Sequence, residues 1–315
     1  MNDSFTNDLT NKYVHNLTHS PIISEVSHSV ILQSKWREKS GPLGFRMCND
    51  YLFRMLLQQD RGTLKAIIAS FMHIDICEIK EVTVLNPIMP GESVDDKEIW
   101  LDINVIINSK KPINIEMQTY RREGWIERSI FYACRGYDSL DRGDLYTDNL
   151  GFWQISFCDF CLFKEQPAFY RSFVLTSNDS AHVVYSDKLM ISNIDLTNID
   201  LASEEDVRYG LTNWARLFKA QTWEELHMLA EDNKTIEQAI ISAWQMTEDE
   251  RIREQMRRRE EGEFLWNALV KKAETAEKHA DEAQKRAGEA ERRADEAEAK
   301  LRELQEKLAA YETNR

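Results

Sequence analysis

The chain has 315 residues, of which 42% are hydrophobic and 30% charged, and its net charge is −14. That apolar content is enough to build a core and excludes wholesale disorder, and no apolar run is long enough to span a bilayer. Residues 251–315 hold sixteen Lys or Arg and sixteen Asp or Glu. The acidic excess therefore belongs to residues 1–250, which excludes a body that coats nucleic acid by bulk charge but leaves room for a local basic track.

Met1-Asn-Asp-Ser-Phe5 lacks the basic-then-apolar order of a leader. The five cysteines are odd in number and scattered. Cys158 and Cys161 form a lone Cys-x-x-Cys with no second pair or nearby histidines, so they read as core thiols in a reducing, cytoplasmic compartment.

In chain order, residues 1–40 are rich in Asn, Ser, Thr and His without a sustained period and read as a flexible arm. Helical patterns cover residues 45–57 and 63–72, followed by a strand at 79–85. Residues 97–107 and 112–118 then alternate apolar and polar side chains around Asn108-Ser-Lys-Lys111, the period of two half-buried strands. A helix over 125–140 follows, with Ile126, Ile130, Ala133 and Tyr137 as its apolar stripe and Arg121, Arg122, Arg128 and Arg135 at its start and flank. Strands at 152–163, 168–176 and 181–194 complete one mixed sheet with the hairpin. Residues 204–218 are helical along Val207, Leu211, Trp214 and Phe218. Capping boxes at Thr222–Glu225 and Thr247–Glu250 start two more helices. His73 and His227 lie in apolar helical stretches and read as packed side chains.

From Trp266 and Leu269 through Ala273 and Ala276 to Leu301, Leu304, Leu308 and Tyr311, apolar residues recur at alternating steps of three and four, an unbroken heptad seam. With Ala273 at position a, Arg286 and Arg293 fall at g, opposite Glu291 and Glu298 at e in a parallel pair. That charge order favours a parallel homodimer. The alanines weaken it, each losing roughly 2 kcal/mol of burial against leucine. Pairs such as Glu282–Arg286 support the other reading, a solitary helix. The expected organisation is an arm (1–40), an α/β core with a mixed α+β sheet flanked by helices (41–200), a helical region (201–262) and an alanine-rich coiled coil (263–315).

The hairpin carries the functional clue. Centred on Ser109, it sets Asp102 opposite Glu116, with Ile99, Leu101, Ile103, Val105, Ile113, Ile115 and Met117 on one face. Trp100, Asp102, Asn104, Asn114, Glu116 and Gln118 share the other. Directly opposed carboxylates destabilise a sheet, and a divalent cation between them is the simplest remedy. A polar face that is merely solvated is the competing reading. Asp102, thirteen residues, then Glu116-Met-Gln118 resembles the nuclease pattern Asp…(Asp/Glu)-x-Lys with Gln in place of Lys. With Asn49-Asp50-Tyr-Leu-Phe-Arg54, Tyr120-Arg-Arg…Arg128…Tyr132, Trp214-Ala-Arg-Leu-Phe218 and Thr247-Glu-Asp-Glu-Arg251, residues 40–265 resemble the PD-(D/E)XK nuclease family transposases.

The resemblance implies a restriction-endonuclease-like core and a Mg²⁺ (or Mn²⁺) site for cutting DNA. Asp102, Glu116 and the Met117 carbonyl would be the ligands, with Asp50 as a further acid or else a helix N-cap. Gln118 would position water, and Arg121, Arg122, Arg128 and Arg135 would engage the DNA backbone. The alternative is a catalytically inactive nuclease fold that binds DNA or protein and dimerises through its tail.

Overall fold

A computed structural model describes residues 35–85, 88–89, 99–100, 102–121, 123–140 and 142–313. The arm therefore lies outside the described residues up to position 34, as do Leu101 and Arg122. The alternating run around Ser109 folds as read, with β4 (Ile103–Ile107) and β5 (Lys111–Gln118) pairing Ile103 with Ile115 and Asn104 with Asn114. Asn108 and Ser109 take left-handed φ values of 49° and 55°, which matches the turn to the right-handed strand twist. The Asn108 side chain then ties the tip to residues 78–81, accepting from Lys80 N at 2.8 Å and donating to Glu78 O at 3.1 Å.

The hairpin sits inside a six-stranded mixed sheet of order β1-β4-β5-β6-β8-β7. Its other strands are β1 (Val82–Val84), β6 (Phe152–Cys158), β7 (Tyr170–Thr176) and β8 (Val184–Asp195). β6 runs parallel to both β5 and β8, and the outer strands are antiparallel to their neighbours. β2 (Ile88–Met89) and β3 (Ile99–Trp100) form a separate two-stranded ribbon. The strand expected over 97–107 is thus broken at Asp102, and Trp100 pairs with Ile88 instead of facing Gln118. The break has a local cause: Asp102 Oδ2 accepts the Met117 N–H at 3.2 Å, ending the ladder with a side chain.

One sheet face is the main core. Ile103, Val105, Ile113 and Ile115 are fully buried there with Ile155 and Phe157. Against them pack α1 (Asp50–Gln59), α2 (Arg61–Met72), α5 (Leu211–Lys219), α6 (Trp223–Glu231) and α7 (Lys234–Thr247). Phe53, Phe157 and Phe218 meet at ring separations of 5.4 to 6.0 Å. The opposite face is buried too, so the solvated reading of the polar face does not hold: Asn104, Asn114, Glu116, Gln154 and Ser156 are all at most 5% exposed. α3 (Trp125–Tyr137) packs over β6 and β8 on that side. A Cβ on Gly136 would come within 2.3 Å of the Phe152 ring, so glycine is what lets the helix approach.

Several local expectations shift. α3 buries Trp125, Ser129, Tyr132, Ala133 and Gly136, whereas Ile126 and Ile130 are exposed. The amphipathic stripe lies one position away from the one the aliphatic residues suggest, because the aromatic rings and the glycine fit the sheet. Gly210, at φ +74°, divides residues 204–218 into α4 (Glu204–Arg208) and α5, and Val207 is exposed. The Thr222–Glu225 capping box forms. Thr247 instead ends α7 with its hydroxyl on Trp244 O, and Asp249 caps the next helix through Arg251 N. His73 and His227 are packed as read, His73 against Asp206 at 2.9 Å and His227 on the Trp36 carbonyl at 3.3 Å. Cys48 and Cys158 are core thiols, but Cys161 is only half-buried and Cys77 and Cys134 are exposed.

α8 (Glu250–Thr313) is one helix to the end of the described chain. The chain divides into two compact units between Glu260 and Glu261. In the first unit, α8 is fastened to α1 by Asn49, which caps α1 through Tyr51 N and Leu52 N and donates to Met256 O at 3.1 Å. In the second unit, Trp266, Leu269, Leu301 and Leu304 are 44 to 63% exposed in the single chain, and Glu282 and Arg286 pair at 3.8 Å.

Candidate active site

Strand alternation puts Asn114, Glu116 and Gln118 on the same face of β5, and the parallel neighbour β6 adds Gln154 and Ser156 beside them. Glu116 is 1% exposed. Its Oε1 accepts from Asn114 Nδ2 at 3.0 Å and its Oε2 from Gln118 Nε2 at 3.4 Å, so the carboxyl is held by neutral amides. Asn114 also donates to Gln154 Oε1 at 2.8 Å, which fixes its orientation. Asp102 follows the break after β3 and is half-buried. The register of β4 and β5 continues to place it across from Glu116.

Burial pushes the Glu116 carboxyl well above the ordinary glutamate range, and the Asp102 charge pushes it further. The Arg128 guanidinium and the two amide donors pull the other way without cancelling the rise. Asp102 is raised by the same primary cause, burial, opposed by Arg54, the Met117 N–H and Arg128 and reinforced by Asp50. This is an acidic pair in which Glu116 is dehydrated and Asp102 half-buried, and neither member has a salt-bridge partner among the described residues. The electrostatic cost is the one anticipated from opposed carboxylates, made larger by burial on both faces of the sheet.

The remaining sequence-derived candidates divide. Met117 is buried in the apolar core, which leaves only its backbone for the site. Asp50 is the first residue of α1 and not its cap, a role taken by Asn49. Its Oδ2 lies 3.6 Å from Arg259 Nη1, and its charge is felt at Asp102. The charge of Arg128 acts on both members of the acidic pair. Arg121 is exposed before α3, Arg135 lies two helical turns beyond Arg128, and Arg122 falls outside the described residues.

The residue that sequence reasoning passed over is Arg54. It follows Asp50 by one helical turn, the i to i+4 spacing that shares a helix face, and its charge opposes burial at Asp102. Tyr132, part of the same family-like run as Arg128, was given no role by the sequence. It is four residues past Arg128, and its hydroxyl accepts from Arg128 Nε at 2.8 Å.

Among the described residues no three of His, Cys, Asp and Glu converge on one point. Two carboxylates and a backbone carbonyl nevertheless suit Mg²⁺, which keeps several waters and needs only one or two protein carboxylates. The raised carboxyls carry the fit: a divalent cation removes the cost of ionising them together. A groove of about 1030 Å³ between α1, α7 and the start of α8, lined by Tyr51, Met55, Gln245 and Ile252 among others, holds no comparable pair of buried acids.

A family model described as PD-(D/E)XK nuclease family transposase matches residues 47–273. Comparison with the curated proteins and with the solved structures returned no match.

Proposed function

Since the chain belongs to the PD-(D/E)XK nuclease family transposases, we propose that it is a Mg²⁺-dependent (or Mn²⁺-dependent) DNA endonuclease whose centre is Asp102, Glu116 and Gln118. The observation that carries this reading is the buried acidic pair, Glu116 held only by amides and Asp102 across from it. Asp102, Glu116 and the Met117 carbonyl would hold the cation, with Asp50 within electrostatic reach. When bound, the metal supplies positive charge against the phosphate and lowers the pKa of water.

The chain's own residues do the rest. Asn114 fixes the Glu116 carboxyl in one orientation, keeping an oxygen lone pair directed into the site. Gln118 donates through Nε2 to Glu116, which leaves its Oε1 to accept a hydrogen bond from the attacking water. A glutamine holds that water but takes no proton, so deprotonation falls to solvent or the phosphate. Water attacks phosphorus in line, the bond to the leaving sugar oxygen breaks, that oxygen takes a proton from solvent to become a hydroxyl, and one product end keeps the phosphate. Arg121, Arg128 and Arg135, before and along α3, would form a backbone-binding track together with Arg122, which lies outside the described residues. The heptad seam of α8 would pair two chains in parallel, which suits cutting both strands. The five free thiols fit a reducing cytoplasm.

The neutral Gln118 favours a second reading, a nuclease fold that binds DNA or protein without cutting it. Supercoiled DNA incubated with Mg²⁺ and either the natural protein or Asp102→Ala, Glu116→Ala separates the two. Nicking or linearisation by the natural protein alone supports the nuclease. Equal cleavage by both proteins, or by neither, rejects it.

A further inference from the structure

A chain of two amides ends on the Glu116 carboxyl. Asn114 spends both N–H groups of Nδ2, one on Glu116 Oε1 at 3.0 Å and the other on Gln154 Oε1 at 2.8 Å. Asn114 and Gln154 are paired residues of the parallel strands β5 and β6, and both are fully buried. A carboxamide has a donor end and an acceptor end, so each bond in such a chain fixes the direction of the next. Turned about, Asn114 would set its Oδ1 against the Glu116 carboxylate and the Gln154 carbonyl together. The Gln154 oxygen therefore selects the orientation in which Asn114 donates to Glu116.

That orientation is held at a cost. Asn114 Oδ1 and Gln154 Nε2 are buried and have no hydrogen-bond partner among the described residues. Two amides that served packing alone would exchange a hydrogen bond in each direction and strand neither group. Here the second bond is given up and Asn114 is turned to the carboxyl instead.

We infer that Gln154 is a positioning residue for the cation site, acting through Asn114 on Glu116. That Glu116 is a ligand rests on the nuclease reading above. With Asn114 on Oε1 and Gln118 on Oε2 at 3.4 Å, the carboxyl plane is set before a cation arrives. Without the Gln154 oxygen, one buried Asn114 N–H loses its acceptor, and the amide is free to turn away from Glu116.

The test uses the full chain with Mn²⁺ as the probe. Mn²⁺ affinity is measured by calorimetry, the fold by thermal melting, and deuterium exchange of the Asn114 side-chain NH₂ group by NMR in metal-free buffer. Gln154→Leu should melt within a few degrees of the natural protein, because one buried N–H loses its acceptor while another unpaired donor disappears. It should nevertheless bind Mn²⁺ on the order of tenfold more weakly, and its Asn114 NH₂ protons should exchange faster. Gln154→Met, of similar shape and also without an acceptor, should behave alike and decides the matter if the leucine variant does not fold. In an Asn114→Ala background, Gln154→Leu should weaken Mn²⁺ binding no further, since the connection to Glu116 is already cut.

The assignment is overturned if the folded Gln154 variants bind Mn²⁺ as the natural protein does, if the two single losses add in the double variant, or if affinity falls only in step with melting temperature. Should the natural protein bind no Mn²⁺, the metal reading fails, and the exchange rate decides the positioning by itself: a rate that Gln154→Leu or Gln154→Met leaves unchanged rejects it.

Discussion

Replacing Glu116 with glutamine keeps the shape and removes the charge, and the structure gives the sign and size of the effect. In the metal-free fold the Glu116 carboxyl is raised by burial and by Asp102. Between its ordinary value of 4.5 and its raised value, the folded protein therefore holds a proton that the unfolded chain has lost. Stability falls as pH rises through that window, at about 1.4 kcal/mol per pH unit. The contribution is complete below the ordinary value and gone once the folded carboxyl ionises.

Between about pH 5 and about pH 8 the loss is roughly 4 kcal/mol. Glu116→Gln does not titrate, but it sets a new N–H group against Gln118 Nε2, which now donates to Glu116 at 3.4 Å. One amide must flip, at a cost of about 1 kcal/mol. The variant should melt a few degrees below the natural protein near pH 5 and several degrees above it near pH 8, taking about 2–4 °C per kcal/mol. Thermal melts by circular dichroism in EDTA across that range are the assay. Mg²⁺ should raise the natural protein's melting temperature at high pH and leave the variant's unchanged. Parallel melting curves at every pH, or an equal response of both proteins to Mg²⁺, would refute the reasoning.

Three further outcomes follow from individual contacts. Gln118→Ala should lower the turnover of DNA cleavage about 10- to 100-fold without weakening Mg²⁺ binding, and Gln118→Lys should equal or exceed the natural rate, both read in steady-state cleavage assays. Gly136→Ala pushes a methyl group to 2.3 Å from the Phe152 ring; it should destabilise the fold by about 1–3 kcal/mol in urea titrations, and a neutral result would mean that α3 is not seated as described. A chain ending at Gly262 should be monomeric by light scattering while the full chain is dimeric. Equal mass states would show that the heptad seam is not what pairs the chains.

The local periodicities fixed much of this molecule before any packing was considered. Alternation around Ser109 set the hairpin register, because a strand's side chains repeat every two residues and a slip by one would move every isoleucine onto the polar face and every amide and carboxyl into the apolar core. The same register set Asp102 against Glu116, so the acidic pair was legible as a local charge conflict. Thr222 and Glu225 announced their helix because a capping box is a local hydrogen-bond device, and the tail's helix followed from its heptads. Other features depended on partners distant in the chain. The polar face of β5 is buried only because α3 crosses β6 and β8, and α3 sits there only because Gly136 admits the Phe152 ring. The break at Asp102 depends on the Met117 N–H, fifteen residues away. Arg54 closes the Asn49–Arg54 run of the family resemblance, but nothing local told that its charge would act on Asp102. The sequence determined which carboxylates oppose each other, since that is a matter of strand period. Tertiary packing decided that Glu116 is dehydrated and which guanidinium charges act on the pair, since burial and field come from whatever the fold brings near.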